Sequence, residues 1–280
     1  MDGTDMKTII IEDIHDLDLE HVFECGQCFR WVPADDGTGS YIGAAGKYCA
    51  RVSLENGDRT LKIEASGGDE AFWRHYFDLD TDYSSIKREL AEKEPGIIPA
   101  MEYGGGIRIL NQDLYETIIS FIISQNNNIP RIRKCIEAIC GRYGGKIGSF
   151  FGREWHAFPE PEVLAAADPE DIMALRLGYR SKYIVESSKR FIEAPRPETR
   201  DGLLEYQGIG PKVANCILLF GLRRTDAFPI DTWVKHIMND MYGFEENDVH
   251  GMAVFAEEKY GKLAGYAQQY LFYYYRSGKE

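Results

Sequence analysis

Leu203-Leu204-Glu205-Tyr206-Gln207-Gly208-Ile209-Gly210-Pro211-Lys212-Val213-Ala214-Asn215-Cys216 is the most informative stretch of the chain. A short helix is predicted to end at Gly208, where two glycines bracket one apolar residue. Pro211 then stands at the first position of a new helix, which suits its fixed φ and missing N–H. Val213, Cys216, Ile217 and Phe220 give that helix a buried face. Two helices joined by Gly-Ile-Gly leave free backbone N–H groups at a helix N-terminus, an arrangement suited to a phosphate. Glycine at 208 and 210 matters because a Cβ there would hold the phosphate away. Nineteen residues after Lys212 comes Asp231, inside Phe228-Pro229-Ile230-Asp231-Thr232-Trp233. Taken alone, Asp231 reads as the N-cap of a helix over 232–241, and Lys212 as a phosphate-contacting lysine.

Working outward, the chain from Gly104-Gly105-Gly106 onward is helical in pattern. Leu114, Ile118, Phe121 and Ile122 recur at helical spacing with Asn111 or Asp113 as cap, and Ile132, Cys135, Ile136 and Ile139 form a second stripe. Further helices are predicted from Val163 to Ala167, Val254 to Tyr260 and Tyr266 to Tyr274. Upstream, the first hundred residues read mostly as strands and turns. Tyr48–Leu54 and Thr60–Glu64 flank Asn56-Gly57, a strong hairpin signal, and Asp36-Gly37-Thr38-Gly39 marks another turn. The predicted class is therefore α+β, with an antiparallel-sheet domain over 1–105 and a helical domain over 106–280. Gly104–Gly106 is the expected boundary or flexible crossing.

A chain of 280 residues with 44% hydrophobic and 28% charged residues describes a globular protein. Its longest apolar stretch, Val213 to Leu222, is about half of the roughly 20 residues a membrane-crossing helix needs. The acidic N-terminus lacks a basic leader region, so no secretory or transit signal is expected. The six cysteines are expected to be reduced, in the cytoplasm or, for a prokaryotic source, at the nucleoid. The net charge of −13 argues at first sight against nucleic acid. It is unevenly placed, however: residues 1–100 hold 21 acids and 10 bases, residues 101–280 hold 24 and 22. Residues 172–200 hold seven bases against three acids. Charge beyond about 8 Å is largely screened at physiological salt, so such a face can dock a phosphate backbone or simply be a solvated helix surface.

The hairpin, with its lysine and the Pro-x-Asp loop that follows, resembles the helix-hairpin-helix motif of DNA-repair glycosylases. Cleaving an N-glycosidic bond builds positive charge at C1′, which a carboxylate stabilises. A neutral lysine amine can attack C1′ and form a Schiff base that permits β-elimination. The resemblance assigns the nucleophile to Lys212 and the carboxylate to Asp231, with Gly208 and Gly210 on the DNA backbone. Lys212 is expected to favour its amine form beside a helix N-terminus. Monofunctional members lack the lysine, so its presence implies a glycosylase that is also an abasic-site lyase.

Four further motifs narrow the resemblance to the 8-oxoguanine DNA glycosylases: Gly26-Gln27-Cys28-Phe29-Arg30-Trp31, Ser124-Gln125-Asn126-Asn127-Asn128-Ile129-Pro130-Arg131, Leu177-Gly178-Tyr179-Arg180 and Gly265-Tyr266-Ala267-Gln268-Gln269-Tyr270-Leu271-Phe272. They cover nearly the whole chain. Oxidised guanine carries a proton on N7, and a carbonyl at Gly26 would accept it. Gln268 and Phe272, four apart on one helix face, would read the Watson–Crick edge and stack on the base. Cys216, four after Lys212, would lie on the base's other side. The resemblance further implies that Asn126 fills the vacated stack, Tyr179 wedges the opposite strand, and Arg131 and Arg180 read an opposite cytosine. It also implies a backbone-carbonyl cation site at Leu204, Tyr206 and Ile209, without side-chain ligands. The partner implied is double-stranded DNA bearing 8-oxoguanine, bound by a monomer away from any membrane.

Cys25-Gly-Gln-Cys28 has the spacing of zinc and redox sites, but no second such pair follows. No cysteine follows Cys216, so the iron–sulfur cluster of related glycosylases is not expected and no cofactor is required. Two positions depart from the animal members: Trp233 stands where they have a phosphate-touching histidine, and Tyr275 where they have an aspartate. Competing readings are a related glycosylase for another damaged purine, a non-catalytic helix-hairpin-helix module, and a redox or metal protein built on Cys25 and Cys28.

Overall fold

The computed structural model describes residues 6–277. The chain opens with β1 (Lys7–Ile11), α1 (Leu19–Glu24), β2 (Trp31–Pro33), β3 (Tyr41–Ala45), β4 (Tyr48–Glu55) and β5 (Thr60–Ala65). The strands form one antiparallel sheet in the order β1-β5-β4-β3-β2. Asn56, Gly57 and Asp58 all take positive φ in the β4–β5 turn, pairing Glu55 with Thr60 and Leu54 with Leu61. Strand alternation then puts Leu61, Ile63 and Ala65 inward and Lys62 and Glu64 outward. Two helices cover the inner face, α1 and α2 (Glu70–Tyr76). Phe23 stacks on Trp31 at 4.5 Å, and the Trp31 indole N–H donates to the Tyr76 hydroxyl at 2.7 Å.

Residues 70–103 are helical rather than strands and turns. After α2 come α3 (Tyr83–Lys93) and α4 (Ile98–Tyr103). Asp69 and Asp82 cap α2 and α3 by accepting from Phe72 N and Ser85 N, a signal visible in the sequence. Tyr83, Leu90, Ile97, Ala100 and Met101 join the core of the helices that follow, not that of the sheet. Gly106 is a tight packing point rather than a loose crossing: a Cβ there would stand 2.4 Å from Asp18 N, and its carbonyl accepts that same N–H.

The remaining elements are α5 (Leu114–Ser124), α6 (Ile129–Tyr143), the hairpin β6 (Lys146–Phe150) with β7 (Arg153–His156), α7 (Pro161–Ala165), α8 (Pro169–Ile172), α9 (Arg180–Glu193), α10 (Arg200–Leu204), α11 (Pro211–Gly221), α12 (Thr232–Tyr242), α13 (Val249–Tyr260) and α14 (Ala264–Ser277). Asp113 caps α5, which is buried nearly all round and packs against α11. Trp155 of β7 reaches Ala44 and Cys49 on the outer face of the five-stranded sheet. Among the described residues no helix is long and apolar enough to cross a membrane.

A buried ion pair crosses between the two halves. Arg30 donates to the His156 carbonyl, and its guanidinium lies 3.8 Å from the Glu116 carboxylate on α5. Burial raises the Glu116 carboxyl to about 7 despite the pull of Arg30. A folded pKa above the unfolded one stabilises at low pH, and that contribution is lost as pH rises through about 7. Glu116→Gln should therefore gain on the native protein by about 2 kcal/mol between pH 5 and pH 8. Denaturant melts at the two pH values check this, and a difference independent of pH contradicts it.

Candidate active site

The hairpin between α10 and α11 is built as its glycines require. Gly208 has φ +84°, and a Cβ there would stand 2.4 Å from the Tyr183 ring. Gly210 is the N-cap of α11 in extended conformation, with open space where its Cβ would be. No described side chain caps α11, and Pro211 at its first turn has no N–H, so the next N–H groups face outward for an anion.

Lys212 is the second residue of that helix, its ammonium 5.9 Å from the Phe121 ring centroid. The Cys216 sulfur and the Asp231 carboxylate hold Lys212 above its ordinary pKa against the pull of burial. The expectation of a favoured amine is corrected in direction: these neighbours favour the ammonium. The Cys216 thiol is itself pushed up by burial and stays protonated at neutral pH. Asp231 caps α12, accepting from Val234 N at 2.9 Å, and the loop before it is braced by Asn215 donating to the Phe228 carbonyl. One carboxylate thus sets the helix and shapes the charge around Lys212.

The proposed base-contacting residues come from opposite ends of the chain. Gly26 has φ +83°, and its absent Cβ would meet Phe272 Cε1 at 3.5 Å. Gln268, one turn before Phe272, is buried, and its amide oxygen accepts from Gln269 at 2.8 Å. Its two N–H donors and a second lone pair remain for a ligand edge. Cys25 and Cys28 are buried in different cores, and among the described residues no His, Cys, Asp and Glu group is arranged for a metal.

The three consecutive asparagines differ in their surroundings. Asn126 is exposed at φ +47°, Asn127 donates to the Ile123 carbonyl at 3.1 Å, and Asn128 caps α6 by accepting from Arg131 N at 3.0 Å. Tyr179 is 52% exposed, packed edge-on against Tyr183. Arg131 is exposed in a groove with Lys134 and Arg176, where it reaches the Arg176 carbonyl at 3.4 Å. Arg180 is placed differently from the expected cytosine reader. It is 5% exposed, and its guanidinium donates to the carbonyls of Gln125 and Asn126, with a longer contact to Leu177. These four contacts brace the loop that carries Asn126 and leave one of the five guanidinium N–H groups uncommitted.

Trp233 is 44% exposed beside Asp231, whereas the other three tryptophans are buried. The Tyr275 hydroxyl donates to Asp240 on α12 at 2.9 Å, tying α14 to the helix that Asp231 caps. Sequence reading missed Phe121 beside Lys212, and Arg276, whose guanidinium lies over the Phe272 ring. The spacing of Arg276, four after Phe272, was the available signal.

A lysine and an aspartate brought together behind the anion-facing turn of a helical hairpin define a helix-hairpin-helix base-excision glycosylase. The family model described as HhH-GPD superfamily base excision DNA repair protein matches residues 119–260, and the model of the 8-oxoguanine DNA glycosylase N-terminal domain matches residues 9–118. A Methanothermobacter thermautotrophicus protein named "Probable N-glycosylase/DNA lyase" is 34% identical over 227 residues, covering 71% of this chain and 72% of its own length. The 8-oxoguanine glycosylase/lyase of Clostridium acetobutylicum, solved with double-stranded DNA containing cytosine opposite to 8-oxoG, is 36% identical with a TM-score of 0.90, covering 99% of this chain and 98% of its own. MBOgg1, solved with a low affinity DNA ligand, is 40% identical with a TM-score of 0.89 over 99% of both chains. The chain belongs to the 8-oxoguanine N-glycosylase/DNA lyase family.

The two hairpin glycines should fail differently. Gly208→Ala should cost at least about 2 kcal/mol from positive φ and the Tyr183 clash, lowering the melting temperature. Gly210→Ala should cost less than about 1 kcal/mol yet weaken duplex binding about tenfold, because the methyl group holds the phosphate off. Thermal melts with anisotropy at fixed salt check both. Native affinity in Gly210→Ala contradicts the phosphate role.

Proposed function

We propose that this chain is a bifunctional DNA glycosylase and abasic-site lyase that extrudes 8-oxoguanine from double-stranded DNA, excises it preferentially opposite cytosine, and cleaves the strand by β-elimination. The observation that carries the reading is the approach of Gly26 to Phe272 on α14, where Gln268 also lies. An extruded base covering Lys212 would bury the ammonium further, and burial favours the amine. The amine then attacks C1′ while the C1′–N9 bond breaks and its electron pair leaves with the base. Asp231 offsets the positive charge on the sugar. The attached nitrogen gives up a proton and the C1′–O4′ bond breaks, O4′ taking a proton, so the opened sugar holds a Schiff base. It acidifies the C2′–H, and loss of that proton expels the 3′ phosphate as the C3′–O bond breaks.

Asn126, Tyr179 and Arg131 are all exposed, and in this reading they meet the widowed strand. Cytosine offers acceptors at N3 and O2 to an arginine fork, whereas adenine turns a donor toward it. A monovalent or divalent cation on the main-chain carbonyls of Leu204, Tyr206 and Ile209 belongs to the same proposal. The Tyr206 carbonyl accepts Ile209 N at 3.1 Å and keeps a second lone pair for such an ion, which would supply charge opposite a DNA phosphate. The protein would act as a monomer on double-stranded DNA, in the cytoplasm or, for a prokaryotic source, at the nucleoid.

Borohydride added during turnover of an 8-oxoguanine:cytosine duplex should trap a covalent complex with the native protein and none with Lys212→Gln. Asp231→Asn keeps a capping side chain, so it should fold and bind but excise at least about a hundredfold more slowly. No trapped species with native protein, or native rates in Asp231→Asn, contradicts these roles.

Opposite-base selectivity gives a separate check. Single-turnover excision should be faster opposite cytosine than opposite adenine, and Arg131→Ala should narrow the ratio about tenfold, the worth of one good base contact. Equal native rates against all four partners contradict the cytosine reading and leave the catalytic one standing.

A further inference from the structure

Along α14, Gln268, Phe272 and Arg276 follow at intervals of four, so an amide, a ring and a guanidinium line one helix face. Arg276 lies with its guanidinium carbon 5.2 Å from the Phe272 ring centroid, and it donates to the Glu24 carbonyl. Its other terminal nitrogen is 3.5 Å from where a Cβ on Gly26 would stand, the same separation as Phe272 Cε1. The guanidinium therefore occupies the Gly26 end of the ring, one turn beyond Phe272 from Gln268. A purine stacked on Phe272 with its Watson–Crick edge at Gln268 and its N7–H at the Gly26 carbonyl turns its imidazole end toward Arg276. C8 is bonded to N7, so the C8 oxygen lies at that end. Only one of the five guanidinium N–H groups is committed to Glu24.

We propose that Arg276 is a further specificity-determining residue, donating a hydrogen bond to O8 of the extruded base. This rests on the base-pocket reading of Gly26, Gln268 and Phe272. Two effects follow. Guanine has a C–H in place of the oxygen, so in the same position it would leave the half-buried guanidinium donor without an acceptor. As the Lys212 Nζ–C1′ bond forms and the C1′–N9 bond breaks, the electron pair left on N9 spreads through C8 onto O8. The contact therefore strengthens in the transition state, where it accelerates departure of the base.

The same guanidinium chemistry could hold a DNA phosphate, and the Glu24 bond could be a structural tie; the test separates these. Single-turnover excision would be measured on an 8-oxoguanine:cytosine duplex, and strand cleavage on a duplex with a preformed abasic site, for the native protein, Arg276→Met and Arg276→Lys. Methionine keeps apolar cover on Phe272 while removing the donors. The expected result is a 10- to 100-fold slower excision by Arg276→Met, abasic-site cleavage within about twofold of native, and partial recovery in Arg276→Lys. Unchanged excision overturns the proposal, as does a parallel fall of both reactions, which marks a phosphate contact or a structural tie. Native protein that excises no 8-oxoguanine overturns the base-pocket reading and this inference together, whereas native excision indifferent to Arg276→Met overturns this inference alone.

Discussion

The carboxamide of Gln27 holds the site together. It is 1% exposed, and its N–H groups donate to the Val22 carbonyl at 2.9 Å and the Arg108 carbonyl at 2.7 Å, while its oxygen accepts from Leu110 N at 2.8 Å. Its backbone carbonyl accepts from the Gln112 side chain at 2.8 Å. One buried amide thereby joins the end of α1, the turn carrying Gly26, and the segment that leads into α5. In a low-dielectric interior each of these bonds is costly to leave unmade, so the turn has one position. That position puts Gly26 against Phe272, although the two residues are 246 apart in sequence. The Arg30 pair with Glu116 and the Arg276 bond to Glu24 secure the same turn from two other sides.

Local chemistry was readable where one residue answers to its immediate neighbours. The Gly-Ile-Gly-Pro hairpin, the β4–β5 turn and the Asp113 cap follow from backbone preferences within a few positions, and the structure has them. The α2–α4 stretch was misread because its short helices alternate with turns and carry few apolar residues at regular spacing. Its caps at Asp69 and Asp82 were the better signal. The β6–β7 hairpin went unseen for a related reason: it has an irregular register near Gly148 and buries little beyond Trp155, so no period-two pattern marks it. Arg180 and Lys212 show the firmer limit. The carbonyls that take up Arg180 lie 54 and 55 residues away, and the groups that keep Lys212 charged stand four and nineteen residues on. Residue type names the chemistry available to each, but only the folded neighbourhood decides its state.

Charge follows the same division. Many acids that make the chain strongly negative are spent inside its first hundred residues, with Asp18, Asp69 and Asp82 on helix caps and Asp16 on Lys87 and Ser84. In the groove beside Asn128 the exposed charges are Arg131, Lys134 and Arg176. Cations grouped at one face can release counterions from DNA whatever the sum over the molecule.

The central claim is that both halves of the chain form one pocket that recognises the oxidised base itself. The most direct measurement is equilibrium binding of Lys212→Gln, expected not to turn over, to two duplexes identical except for 8-oxoguanine or guanine opposite cytosine, at one ionic strength. At least about tenfold tighter binding of the oxidised duplex, some 1.4 kcal/mol, is predicted. Equal affinity for the two would mean that the protein grips only the backbone, and would contradict the account.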